Sequence, residues 1–201
     1  MVKNNRKYSS GKVATIMGKQ YGFGYDVSRC IQCRTCEVAC KSAHDIEPGI
    51  KWRNVIEKWE GEFPNVTRTF FSLACMHCAN PACMAVCPTG AISKRAEDGI
   101  VVVDRDKCNG CRECFAACPY DVPQFGSDGT MQKCDFCIGL GIEPACVASC
   151  PAEAIYCGTM EQLSKMTDGK TAERLPGHTE PSVIILNKPG ANVIPSMFTG
   201  Q

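Results

Sequence analysis

Apolar positions along this chain fall in short runs separated by polar turns, and not in long amphipathic stretches. The runs IVVV at 100–103 and VIIL at 183–186 are strand-sized. YGFGYDV at 21–27 reads as another strand, its glycines marking a strand entrance and not a nucleotide loop, and a further strand is expected at Tyr156. The segment PTGAISKRAEDGIVVVDRDK, 88–107, reads as a turn, a short strand, a polar hairpin and the strand 100–104. Helical signals are mostly single turns, expected after Cys36, Cys83, Cys114 and Cys146. One longer helix is expected over 160–166, with Thr159 as N-cap and Gln162 in the capping-box position. Short strands mixed with short helices predict the α+β class. Nothing approaches the ~20 apolar residues of a membrane span.

The chain of 201 residues is 44% hydrophobic and 21% charged, which excludes a disordered polymer. Seventeen cysteines change the picture. The number is odd, and sixteen fall in four tight groups that leave Cys157 alone. A secreted disulfide scaffold would show an even count at scattered spacings, so metal is favoured. The N-terminus, MVKNNRKYSSGKVATIMGK, is basic and lacks an apolar segment or twin arginine, so no export signal is expected of it.

Group I is Cys30, Cys33, Cys36 and Cys40, and group II is Cys75, Cys78, Cys83 and Cys87. Group III is Cys108, Cys111, Cys114 and Cys118, and group IV is Cys134, Cys137, Cys146 and Cys150. Group III, CNGCRECFAACP, has the spacing that wraps iron–sulfur cubes, in which the fourth cysteine ligates a neighbouring cube. Three close thiolates sit on one loop whose N–H groups can face the sulfurs. A helical turn then carries the chain to the fourth, and proline, which lacks an N–H, helps redirect it. Groups II and IV lengthen the middle gap but keep C-x3-C-P, whereas group I ends in Lys41. Crossed ligation pairs II with III, and I with IV around them. The expected fold is therefore two ferredoxin-like di-cluster units related by a pseudo-two-fold axis, with loop insertions. Residues 21–70 and 123–166 form the outer unit and 71–122 the inner one. Residues 1–20 are a basic extension, and the Pro- and Gly-rich 167–201 an extended C-terminal arm suited to wrapping a partner.

The formal net charge of +1 counts the thiols as neutral. Sixteen thiolates remove sixteen charges and four oxidised cubes return eight, leaving about −7. Nucleic acid would be repelled and is not an expected partner.

With YGFGYDVSRCIQCRTCEVAC, CMHCANPACMAVCPTGAI, DGIVVVDRDKCNGCRECFAACPYDVPQF and MQKCDFC in order, the chain resembles the four-cluster iron–sulfur subunit of molybdopterin oxidoreductases. That type serves dimethyl sulfoxide, thiosulfate or polysulfide and nitrate reductases and formate dehydrogenases; the likeness is greatest to the short, dimethyl-sulfoxide-reductase-like members. The resemblance implies four [4Fe–4S] clusters. Cys30, Cys33, Cys36 and Cys150 would hold the first, and Cys40, Cys134, Cys137 and Cys146 the second. Cys75, Cys78, Cys83 and Cys118 would hold the third, and Cys87, Cys108, Cys111 and Cys114 the fourth. Some relatives replace the second cysteine of group III and carry a three-iron cluster there; this chain has Cys111. The resemblance also implies a non-catalytic wire. Its first cluster would face a large molybdenum or tungsten bis-pterin catalytic subunit. Its fourth would lie at the far end, towards a membrane anchor with quinone or haem where one exists.

Plainer readings stand beside these. Four zinc sites of four cysteines each satisfy the ligand count but do not explain three C-x3-C-P endings. A free-standing polyferredoxin docking with a hydrogenase or formate dehydrogenase also remains open. Cys157 is expected to be a packed apolar cysteine. His77 is expected behind the ligands or at the surface, and Trp52 and Trp59 as loop anchors. Lys41, Arg34, Arg112 and Lys133 lie beside cluster cysteines, where tuning charges and solvated ones look alike. No nucleophile–base set or dinucleotide fingerprint occurs.

Overall fold

The computed structural model describes residues 19–166 and 169–187. The basic extension up to residue 18 and the segment from 188 lie outside the described residues. Chain order is β1 Tyr21–Asp26, α1 Thr35–Ala43, β2 Asn54–Glu60, β3 Thr67–Leu73, α2 Ala82–Ala85, β4 Ile92–Lys94, β5 Val101–Val103 and α3 Glu113–Ala117. There follow β6 Gln124–Phe125, β7 Met131–Gln132, α4 Ala145–Ala148, β8 Ile155–Thr159, α5 Met160–Lys165, β9 Thr171–Arg174 and β10 Val183–Asn187. The protein is a mixed α/β structure whose cysteine-rich loops alternate with short elements. No helix among the described residues is long and apolar enough to cross a membrane.

One four-stranded sheet, in the order β8-β1-β10-β9, organises the molecule; β2–β3, β4–β5 and β6–β7 are separate two-stranded ribbons. β1 runs antiparallel to β8 and parallel to β10. All five residues of β10 are buried, because both faces of the strand are covered. Val183 and Ile185 face the main core with Phe23, Tyr25, Phe71, Phe136 and Ile155. Ile184 and Leu186 pack on Leu163 of α5. The expected capping box holds that helix: Gln162 N–H donates to Thr159 Oγ1 at 3.2 Å, and Thr159 N–H to Gln162 Oε1 at 3.0 Å. Gly22 serves close approach, since a Cβ there would stand 2.0 Å from the Ser182 carbonyl oxygen.

The extended C-terminal arm from 167 needs correction over its described part. Val183–Asn187 is an inner strand of the largest sheet, and Thr171–Arg174 is its edge. The physical reason is that VIILN hides apolar surface on both faces once it lies between β1 and β9. The boundary expected at 70/71 also falls inside β3, within a β2–β3 ribbon where the sequence suggests only an insertion loop.

Helix length follows the punctuation of each group. α2, α3 and α4 are four or five residues long, ending one or two residues before the cysteine that precedes Pro88, Pro119 or Pro151. Group I has Lys41 in place of proline, and α1 runs nine residues.

Candidate metal centre

The short helices meet in crossed pairs: α1 packs on α4, and α2 on α3. Each helix carries cysteines, so the crossing delivers thiols of one group to those of its partner. Cys30, Cys33, Cys36 and Cys150 line one small cavity. Cys87, Cys108, Cys111 and Cys114 line another. Cys75, Cys78, Cys83 and Cys118 stand close enough to perturb one another, as do Cys40, Cys137 and Cys146, with Cys134 beside Cys146 and Cys40. Two of the expected sets thus line a cavity each, and the other eight grouped cysteines lie within electrostatic reach of one another. Cys157 stands on β8 opposite Phe23 and packs against the core.

The loops that present these thiols share a backbone turn. In the first C-x-x-C of each group the residue before the second cysteine has positive φ: Gln32 at 60°, His77 at 41°, Gly110 at 72° and Phe136 at 65°. Three of the four are not glycine, so a strained conformation is kept at corresponding places. Within one such turn Phe136 N–H donates to Cys134 Sγ at 3.5 Å, and other sulfurs take N–H groups from outside the turns. Met131 N–H donates to Cys108 Sγ at 3.3 Å, Ala154 N–H to Cys150 Sγ at 3.3 Å, and Ala145 N–H to Cys137 Sγ at 3.5 Å.

Burial penalises charge on these thiols. It pushes Cys40 and Cys83 up to about 12 and Cys78 and Cys114 up to about 11, with neighbouring cysteines adding to the rise. Cys134 is pushed well above the ordinary thiol range for the same reason. Thiolates at these positions therefore need bound positive charge, as metal supplies. Cys87 goes the other way. Burial acts to raise it, but the Thr89 hydroxyl and the N–H groups of Ile92, Ala91 and Thr89 outweigh that and hold it below the usual value.

Several polar side chains are buried behind the cysteines. Arg53 is 2% exposed; its Nη1 donates to Ser72 O at 3.0 Å and Ser72 Oγ at 3.2 Å, and its guanidinium lies over the Phe23 ring. Ser72 Oγ is also 3.2 Å from Cys36 Sγ. His77 is fully buried, not superficial: Val101 N–H donates to its Nδ1 at 3.2 Å, so the ring proton belongs on Nε2. Burial first, then the charges of Lys133, Arg53 and Lys94, hold its pKa well below the usual value. Lys133 is buried and donates to the carbonyls of Val101 and Cys134. His44 Nε2 lies 3.3 Å from Cys137 Sγ, and its ring stands 4.6 Å from that of Trp52.

The other flagged residues have local duties. Lys41 donates to the carbonyls of Glu47 and Ile50, tying down the loop after α1. Arg34 pairs with Glu37, and Arg112 lies over Phe125. Trp52 donates from Nε1 to Gln132 Oε1 at 3.0 Å, while Trp59 is mostly exposed beneath Arg68.

Two observations test whether metal–sulfur groups fit. The donors are clustered soft thiols, which select thiophilic metals and iron–sulfur groups. Among the described residues, Arg53 Nη2 and His77 Nε2 are buried donors without a protein acceptor. Sulfur acceptors in the cysteine-lined spaces would satisfy such groups, so the fit is good. Sequence reasoning missed Arg53, Ser72 and His44. A single arginine at the mouth of a strand carries no spacing signal, and only the β2–β3 pairing brings Ser72 to it.

Comparison with known proteins agrees with this chemistry. Residues 66–160 match the family model described as a 4Fe-4S dicluster domain. The chain is 43% identical over 196 residues to the probable anaerobic dimethyl sulfoxide reductase chain YnfG of Escherichia coli (strain K12), covering 90% of this chain and 94% of that protein. It is 44% identical over 195 residues to the B chain of the anaerobic dimethyl sulfoxide reductase of the same strain, with the same coverage. Protein NrfC of that strain is 40% identical over 156 residues, 75% of this chain and 70% of its own length.

Proposed function

This protein belongs to the family of iron–sulfur electron-transfer subunits that includes the B chain of anaerobic dimethyl sulfoxide reductase, and from that premise we propose how its cysteines divide the work. Cys30, Cys33, Cys36 and Cys150 hold the first [4Fe–4S] cluster, and Cys40, Cys134, Cys137 and Cys146 the second. Cys75, Cys78, Cys83 and Cys118 hold the third, and Cys87, Cys108, Cys111 and Cys114 the fourth. The observation that carries this is the crossed packing of α1 on α4 and α2 on α3, which brings group I to group IV and group II to group III, with two of the proposed sets each lining a cavity. Bound clusters supply one-electron transfer. The protein's own residues hold them, exclude water and aim N–H groups at the sulfurs. The subunit itself is not catalytic. The two crossed pairs are read as ferredoxin-like units about a pseudo-two-fold axis, supported by the repeated positive-φ turn.

Both ends of the proposed wire open outward. Cys33 is exposed beside Ile31 and Val38, each about two-thirds exposed, and Cys111 is exposed near Phe115 and Val86. The group I end is proposed to meet a molybdenum or tungsten bis-pterin subunit. The relatives' names favour an S-oxide as that subunit's substrate. The group III end faces onward, to a membrane anchor where one is present.

Elemental analysis of the complex, purified anaerobically, tests the reading. About sixteen irons per chain with about one molybdenum or tungsten is expected, from four cubes of four irons. Iron alone would point to a free-standing polyferredoxin. About four zincs with little iron would overturn the cluster reading.

A further inference from the structure

Among the described residues, Arg53 is a buried cation with no carboxylate partner and one amino group left without an acceptor. Lys133, the other buried cation near the cysteines, spends its ammonium on the carbonyls of Val101 and Cys134. Arg53 is fixed on three sides. Nη1 makes two hydrogen bonds to Ser72, one to its carbonyl and one to its hydroxyl, and the Phe23 ring lies 4.5 Å below the guanidinium carbon. The remaining amino group, Nη2, is buried and without an acceptor among the described residues. Leaving a buried charge uncompensated is strongly unfavourable, so an arrangement this well fixed implies a missing acceptor of negative charge.

The cysteines surrounding Arg53 say which acceptor. Burial acts to lower its pKa, yet Cys146, Cys134, Cys36 and Cys40 together more than reverse that. Cys137 feels the arginine as well. Four of these five are the ligand set proposed above for the second cluster. The fifth, Cys36, already has the Ser72 hydroxyl at 3.2 Å between itself and the arginine. Arg53 therefore touches the first set through Ser72, while its charge is felt across the second.

We propose that Arg53 is a positioning residue of the site formed by Cys40, Cys134, Cys137 and Cys146, where its Nη2 donates a hydrogen bond to a sulfur and its fixed charge raises the site's reduction potential. This rests on the ligand sets proposed above. A cluster gains negative charge on reduction, so a permanent cation favours the reduced state. Because guanidinium does not deprotonate, the effect is independent of pH.

The test is an EPR-monitored redox titration of the intact complex, comparing wild type with Arg53→Met and Arg53→Lys. Arg53→Met is expected to lower one of four midpoint potentials by at least tenfold in equilibrium constant, ~59 mV for a one-electron couple. Arg53→Lys restores charge without the fork and falls in between. The moved signal is expected to be the one altered by Cys137→Ser. Full iron with four unmoved midpoints overturns the proposal, as does a shift confined to the signal altered by Cys33→Ser. Should Arg53→Met fail to assemble, wild type labelled with 15N-arginine is measured by pulsed EPR. Nitrogen coupling on one reduced cluster is expected, and its absence overturns the proposal. Iron well below sixteen per chain in wild type would instead sink the ligand sets.

Discussion

The crossed pair I–IV and the crossed pair II–III solve one problem in two ways. Around Cys40, Cys134 and Cys146 the thiols are buried, and a fixed arginine stands among them. Around Cys87, Cys108 and Cys111 the thiols are half-buried or exposed. There Met131 N–H serves Cys108, and N–H groups with the Thr89 hydroxyl hold Cys87 below its usual value. Negative charge in low dielectric needs either a counter-charge or oriented dipoles and water. The first region adds a charged side chain from the loop before β2, and the second relies on N–H groups and a hydroxyl, from its own loop at Cys87 and from β7 at Cys108. One electron carrier can thus hold chemically identical ligand sets in unlike surroundings, which is how identical cofactors acquire different potentials.

The sharpest way to break this comparison is to remove one ligand from each region. Cys134→Ala leaves a hole at a fully buried set and is expected to abolish assembly, with at least four irons lost per chain and no native near-UV circular dichroism. Cys111→Ser, at an exposed corner, is expected to keep the fold and lose only about one iron, read by iron analysis and EPR. The next effect is on packing. Ile185→Ala, at the fully buried inner strand beside the I–IV pair, should cost about 2–5 kcal/mol by anaerobic denaturant titration. Val102→Ala, half-buried on the II–III ribbon, should cost clearly less. Ser72→Ala removes the hydroxyl shared by Cys36 and Arg53 and should cost about 1–2 kcal/mol.

The smallest expected effect is a pH dependence at the rim of the I–IV sheet. Burial acts to raise the Asp26 carboxyl, but hydrogen bonds from Lys170 and Ser28 outweigh it and hold the pKa below its usual value. A depressed folded pKa contributes stability above the unfolded value, about 3.9. That contribution is lost as pH falls through the folded value. Asp26→Asn should therefore be less stable than wild type at pH 6, and the gap should close below about pH 4.

The cysteine chemistry was legible because ligand spacing is local: three thiols on one loop and a fourth beyond one helical turn can be read from sixteen positions. Helix ends at Pro88, Pro119 and Pro151 and the Thr159–Gln162 box were legible for the same reason. What stayed hidden depends on distant pairing. VIIL at 183–186 read as a strand, but nothing in it names Phe23 and Gly24 as neighbours, so its segment passed for an arm. The β2–β3 ribbon was hidden because NVIEKWE and TRTFFSL make a surface ribbon whose alternation is weak, and Arg53 with it.

The place of β10 also sets an order of events during synthesis. The II–III cysteines also draw on late residues: Met131 N–H serves Cys108, and the loop of group II is held by backbone hydrogen bonds from Ala79 to Glu180 and from Asn80 to Thr179. The sheet that backs the I–IV cysteines stays open until residue 187, because β1 must wait for a parallel neighbour made more than 150 residues later. Pairings so far apart form slowly. Both crossed pairs therefore gain their full surroundings only when nearly all of the described chain is in place. The last described strand thus closes the sheet behind cysteines that stand near the start of the chain.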